Sequence, residues 1–166
     1  MPTILIIGAT GTVGRQLISE LLASNIQIRA LLRNPDTAHL PGEVEEFRGD
    51  LTAPETLDPA LKNVDAVFLV WTAPPATAPH QTPHPFFQQP NALSAVLSGI
   101  ERHIESSSLQ WTFIRPGMFA ANCIHWWGPA FRNNEVVRWP LLQAPTAPID
   151  PRDIAAVAAS TLAGPT

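Results

Sequence analysis

Ile4-Leu5-Ile6-Ile7-Gly8-Ala9-Thr10-Gly11-Thr12-Val13-Gly14 is the stretch that decides the fold. Four apolar residues in an unbroken run read as a strand buried on both faces, the habit of a central parallel strand. From Thr12 onward Val13, Leu17, Ile18, Leu21 and Leu22 recur at helical spacing, so a helix of about three turns follows and closes near Ser24-Asn25. Between the two stands a G-x-x-G-x-x-G turn. Gly8 can turn the chain sharply, Gly11 leaves no Cβ in the way of a pyrophosphate, and Gly14 lets the helix pack closely on the strand. A tight turn without ligand could use the same glycines. The strand before and the helix after favour a dinucleotide, held where the helix amides and dipole attract phosphate.

Outward from that unit, strands are expected at 26–32, 43–47 and 65–70, with a short helix at 54–62. Strands alternating with helices imply a parallel sheet with right-handed crossovers. Residues 72–90 hold six prolines and neither helical nor alternating periodicity, so a long irregular loop is expected. A helix should start after Asn91 and run to about residue 106, with Leu93, Val96, Leu97, Ile100 and Ile104 on one face. The spacing then predicts a fifth strand at 111–114, partial helix at 118–131, a short edge strand at 136–139 and a proline-rich loop at 140–148. A last helix starts at Asp150 or Asp153 and runs to Leu162, ended by Gly164-Pro165. The expected architecture is an α/β, doubly wound, Rossmann-like parallel sheet of about five strands. It forms a single domain, 1–166, with a small substrate-side portion at 116–149.

Composition narrows the partners. With 166 residues, ten basic and fourteen acidic, the formal charge is −4, and Lys62 is the single lysine, so nucleic acid is not an expected partner. The apolar runs are far shorter than the roughly 20 residues that cross a bilayer, and no basic stretch precedes the first of them. A membrane is therefore not expected either, and the expected address is cytoplasmic. Self-association is left open. Cys123 stands alone, which excludes an intramolecular disulfide and a multi-cysteine zinc site.

Arg33 lies twenty-five residues after Gly8, at the end of the second strand, where dinucleotide folds read the adenosine ribose. A carboxylate there would accept from the ribose hydroxyls. Arginine instead offers a donor fork suited to a 2′-phosphate, which favours NADP(H) over NAD(H), with a solvated surface arginine as the plain alternative. Asp36 follows three residues later and is the competing carboxylate. Asp50 and Leu51 fall beside the adenine edge of a doubly wound sheet, or Asp50 simply serves a turn.

The chain resembles the NmrA-like branch of the atypical short-chain dehydrogenase/reductase superfamily, through GATGTVG at 8–14, RALLRNP at 29–35, GDL at 49–51, VDAVFLV at 64–70, WTFIRPGMFAAN at 111–122 and DPRDIAAVAA at 150–159. The resemblance implies that Gly8, Thr10, Gly11, Thr12, Val13 and Gly14 hold the pyrophosphate turn, Arg33 the 2′-phosphate, and Asp50 and Leu51 the adenine. It places Trp71, Thr72 and Pro116 on the nicotinamide side, and Gly117, Met118 and Phe119 between nicotinamide and substrate. The chain departs from that pattern at its chemistry. The superfamily's usual set is a serine and a Y-x-x-x-K helix, but this chain has no tyrosine, and Leu97 and Leu93 fall at the inferred lysine and tyrosine positions. The resemblance also leaves no room for the serine-bearing strand, since 72–90 stands in its place.

His80 and His84 stand four residues apart, but in a proline-rich stretch without helical periodicity, and no metal is assigned. His80, His84 and His125 follow the ends of strands four and five and are weak candidates for a proton donor, surface or core histidines being the plainer reading. Trp126 and Trp127, with Phe119 and Met118, suit an apolar substrate cleft or a small satellite core. Three functions are compatible with these residues. The first is an NADP-dependent oxidoreductase acting on a small apolar carbonyl or conjugated compound, the second a non-catalytic NADP-binding redox sensor, the third a non-redox enzyme reusing the pocket.

Overall fold

β1 spans Thr3–Ile7 and is paired on both sides. It runs parallel to β2 (Gln27–Leu32), with Thr3 opposite Gln27, and parallel to β4 (Ala66–Leu69), with Ile4 opposite Ala66. β3 (Glu45–Arg48) extends the sheet beyond β2, with Leu32 opposite Arg48, so the order is β3-β2-β1-β4. A strand with neighbours on both edges and helices on both faces has no position that favours a polar side chain, which is why β1 reads as an unbroken apolar run. The computed structural model describes residues 1–70, 92–137 and 147–164.

The two faces of the sheet are covered by different helices. Leu5 and Ile7 join Leu31, Phe47, Leu57, Val64 and Ala60, the last from α2 (Asp58–Leu61). Side chains alternate along a strand, so Ile4 and Ile6 point the other way, toward α1 (Thr12–Leu22) and α5 (Pro151–Ala163). Those two helices pack on each other through Leu17, Ile18 and Leu21 on one and Ile154, Ala155 and Ala158 on the other, all nearly inaccessible to solvent. This is double winding: the chain crosses outward from β1 by α1 and back to β4 by α2, and right-handed crossovers in opposite directions land on opposite faces.

Two compact units are formed, one by Met1–Val70 with Pro116–Thr166 and one within Trp71–Arg115. In the second, α3 spans Ala92–Glu105, and Arg115 reaches back to it with a two-pronged pair on Glu101 at 2.8 and 2.9 Å. In the first, α4 spans Asn122–Arg132.

Several sequence expectations shift. Among the described residues the sheet has four strands: residues 111–114 form no strand, and their rings stack instead, Trp111 on Phe113 at 4.5 Å and the Arg115 guanidinium over Phe113 at 5.3 Å. A strand exists by its ladder hydrogen bonds, and apolar propensity cannot supply a partner. The helix expected at 54–62 splits into a 3-10 turn, Pro54–Thr56, and α2, because Pro59 has no N–H to donate to the Glu55 carbonyl. α4 starts later than expected because Met118 and Ala120 bond to Ile149 instead, in a short parallel bridge centred on Phe119. Val136 and Val137 carry no strand, and the rest of 136–139 lies outside the described residues. So do the expected loop at 72–90, Asn91 and most of 140–148.

Candidate functional site

The glycine turn is dense beneath and open above. Gly8 has φ +92°, in the left-handed region that side chains avoid, and a Cβ there would stand 3.1 Å from the Val70 side chain. The Gly11 amide donates to the Gly8 carbonyl at 3.0 Å and closes the turn. A Cβ on Gly14 would fall on that same Gly8 carbonyl oxygen and 2.9 Å from the Cα of Ala9, so α1 seats directly on the turn. Val13 and Gly14 are buried while Thr10, Gly11 and Thr12 are exposed.

Gly11 is the N-cap of α1 and offers no capping side chain, and the first turn of α1 carries no acidic residue. The leading amides of a helix have no acceptor within it. Among the described residues no side chain takes those of Thr12 or Val13. An uncapped helix start, free of negative charge and bare of Cβ atoms at Gly11, fits a pyrophosphate.

Arg15 escaped the sequence reading. Its guanidinium donates to the carbonyls of Thr10 at 3.2 Å, Ala38 at 2.7 Å and His39 at 3.3 Å, tying the glycine turn to the segment after β2. Only its place directly after the third glycine could have drawn notice.

Arg33 follows the last residue of β2, is exposed, and among the described residues has no hydrogen-bond or ion-pair partner. Asp36, in the 3-10 turn Pro35–Thr37, pairs with Arg48 at 3.3 Å rather than with Arg33. Asp50 takes the turn role. Its Oδ1 accepts from the Thr52 amide at 2.9 Å and hydroxyl at 2.8 Å. Those bonds hold its carboxyl below the ordinary carboxylate range, with the Arg33 charge a smaller contribution in the same direction. Leu51 beside it is exposed.

The glycine turn, Arg33 and Asp50 thus follow the carboxyl ends of β1, β2 and β3, the end where open α/β sheets bind ligands. In the same unit Pro116, Gly117, Met118 and Phe119 are half-buried, His125 and Trp126 are exposed on α4, and Trp127 is half-buried there. Trp71, Thr72, His80 and His84 lie outside the described residues. Among the described residues no three His, Cys, Asp or Glu side chains gather at metal-binding range, and no helix is long and apolar enough to cross a membrane.

The profile of the NAD(P)H-binding family matches residues 8–98, beginning on the first glycine of the turn. The chain belongs to that family. It is 35% identical to (4-alkanoyl-5-oxo-2,5-dihydrofuran-3-yl)methyl phosphate reductase of Streptomyces griseus, over 97% of this chain and 63% of that protein. It is 30% identical to the NAD(P)H azoreductase of Xenophilus azovorans, over 98% of this chain and 64% of that protein. Its fold is that of the Citrobacter sp. triphenylmethane reductase solved with NADP(H), with a TM-score of 0.79 and 19% identity over 99% of this chain and 66% of the other. The chain spans a little under two thirds of each of these proteins. As an NAD(P)H-binding domain it matches both the Rossmann architecture and the NmrA-like resemblance carried by its motifs.

Proposed function

We propose that this NAD(P)H-binding protein is an NADP(H)-dependent oxidoreductase that acts on a small apolar carbonyl or conjugated substrate. One observation carries the cofactor part: an open, uncapped phosphate turn shares the carboxyl end of the sheet with Arg33, whose guanidinium is uncommitted among the described residues. In this reading Gly8, Thr10, Gly11, Thr12, Val13 and Gly14 hold the pyrophosphate and Arg33 the 2′-phosphate. Asp50 and Leu51 border the adenine, and Trp71, Thr72 and Pro116 the nicotinamide. When bound, the cofactor supplies a hydride to an electrophilic carbon. The chain orients that group, lines an apolar cleft with Gly117, Met118, Phe119, Trp126 and Trp127, and delivers a proton from His80, His84 or His125, which must come within about 3 Å of the substrate directly or through one water. The reductase names of both relatives support the reaction class. A net charge of −4 with a single lysine favours a small-molecule partner over nucleic acid.

A second reading, a non-catalytic NADP-binding sensor, is favoured by the absence of any tyrosine. Titration with NADPH and NADH, run beside turnover on a panel of carbonyl and conjugated compounds, separates the two. NADPH should bind more tightly, and Arg33→Asp should cost about ten- to a hundredfold in NADPH affinity. Equal affinity for both cofactors overturns the NADP assignment, and tight binding without turnover across the panel replaces the oxidoreductase by the sensor.

A further inference from the structure

The charges around Arg33 are arranged by a residue from the neighbouring strand. Arg48 closes β3 opposite Leu32, and the Gly49 amide bonds to the Leu32 carbonyl at 2.9 Å. Arg48 therefore stands beside the residue that precedes Arg33. Its Nη2 contacts Asp36 Oδ2 at 3.3 Å, with side chains 65% and 82% exposed. Such a pair adds little to stability, so its consequence is local charge.

Asp36 lies in the 3-10 turn that follows Arg33, three residues on, and left to itself it is both a competing partner for that guanidinium and a repulsive charge toward a phosphate. A carboxylate in this region is also what accepts from the hydroxyls of an unphosphorylated ribose. The other nearby carboxylate, Asp50, is already occupied by Thr52. We propose that Arg48 is a specificity-positioning residue: by holding Asp36 it keeps the Arg33 guanidinium free for a 2′-phosphate and biases the site against NADH. The inference rests on the NADP(H) reading above and names a residue that acts through Asp36 and Arg33 without touching the cofactor.

The test is a set of fluorescence titrations with NADPH and NADH, at low ionic strength, on the full chain and on Arg48→Gln, Arg48→Lys, Asp36→Asn and the Arg48→Gln/Asp36→Asn double variant. Arg48→Gln should weaken NADPH binding about three- to tenfold while NADH binding stays level or improves. Arg48→Lys should stay near the parent. Removing the carboxylate removes the need for its partner, so the double variant should return to parental selectivity. A loss of fold would weaken both cofactors together, and melting curves of each variant check this directly. If Arg48→Gln leaves selectivity unchanged while Arg33→Asp abolishes it, the inference falls and the NADP(H) reading stands. If the double variant is not rescued, Arg48 meets the phosphate itself and the positioning role is wrong. If the parent binds both cofactors equally, the reading and the inference fall together.

Discussion

At Gly14 a single methyl group separates a seated helix from a displaced one. Gly14→Ala drives a Cβ into the Gly8 carbonyl and the Ala9 Cα, both backbone and unable to step aside. The variant should lose stability by about 1–3 kcal/mol, the cost of overpacking, together with cofactor binding. Gly11→Val differs, since a Cβ there meets only the Gly8 oxygen, at 3.2 Å. That chain should stay folded, with a smaller loss in melting temperature than Gly14→Ala, and fail to bind NADPH, because its branched side chain fills the phosphate approach. Thermal melts and cofactor titrations read both variants, and a Gly11→Val protein with parental affinity moves the phosphate off this turn. The glycines were legible in sequence because backbone sterics act within a few residues. Arg15 and Arg48 were not: their partners Ala38 and Asp36 lie 23 and 12 residues away along the chain, and only folding brings them together.

Among the elements, α5 depends on the residue that caps it. Asp150 caps the helix by accepting from the Arg152 amide at 2.8 Å and pairs with the Arg152 guanidinium at 2.8 Å. Those bonds lower its carboxyl from 3.8 to about 2. A carboxyl depressed in the folded state contributes stability that is present in full above its ordinary value and lost as pH falls through about 2. Asp150→Asn keeps an acceptor but not the charge, so its melting temperature should fall less steeply than the parent's between about pH 4 and 2. Asp150→Ala also removes the cap and should melt lower at neutral pH, since α5 carries Ile154, Ala155 and Ala158 into the core. An Asn variant that tracks the parent's acid slope would remove Asp150 from the account. α1, α3 and α5 were well read from sequence, because helical periodicity is local. The strand expected at 111–114 had the composition of one and, among the described residues, no partner.

Across the whole molecule, stability centres on the contact of α1 with α5 and the sheet beneath them. Leu17 is fully buried there, and Leu17→Ala should cost about 2–5 kcal/mol, read from the midpoint of chemical denaturation. A loss well below that range would mean the contact is loosely packed. Function at this scale turns on proton delivery. If the protein turns over, the rate should drop when one of His80, His84 or His125 is replaced by alanine. A fast reductase that survives all three changes would place the proton with water or the cofactor.

By itself the sequence determined the central strand, the glycine turn, the helix behind it and the parallel, doubly wound order. Each follows from side-chain periodicity or backbone sterics acting over a few residues. The same reading located Arg33 and Asp50 at the carboxyl ends of their strands, because strand ends can be counted along the chain. Only the tertiary structure decided that residues 111–114 form no strand, that Asp50 spends its carboxylate on Thr52, and that Asp36 is held by Arg48 and not by Arg33. A ladder or an ion pair needs a partner in position, and that position is set by the packing of segments distant in sequence.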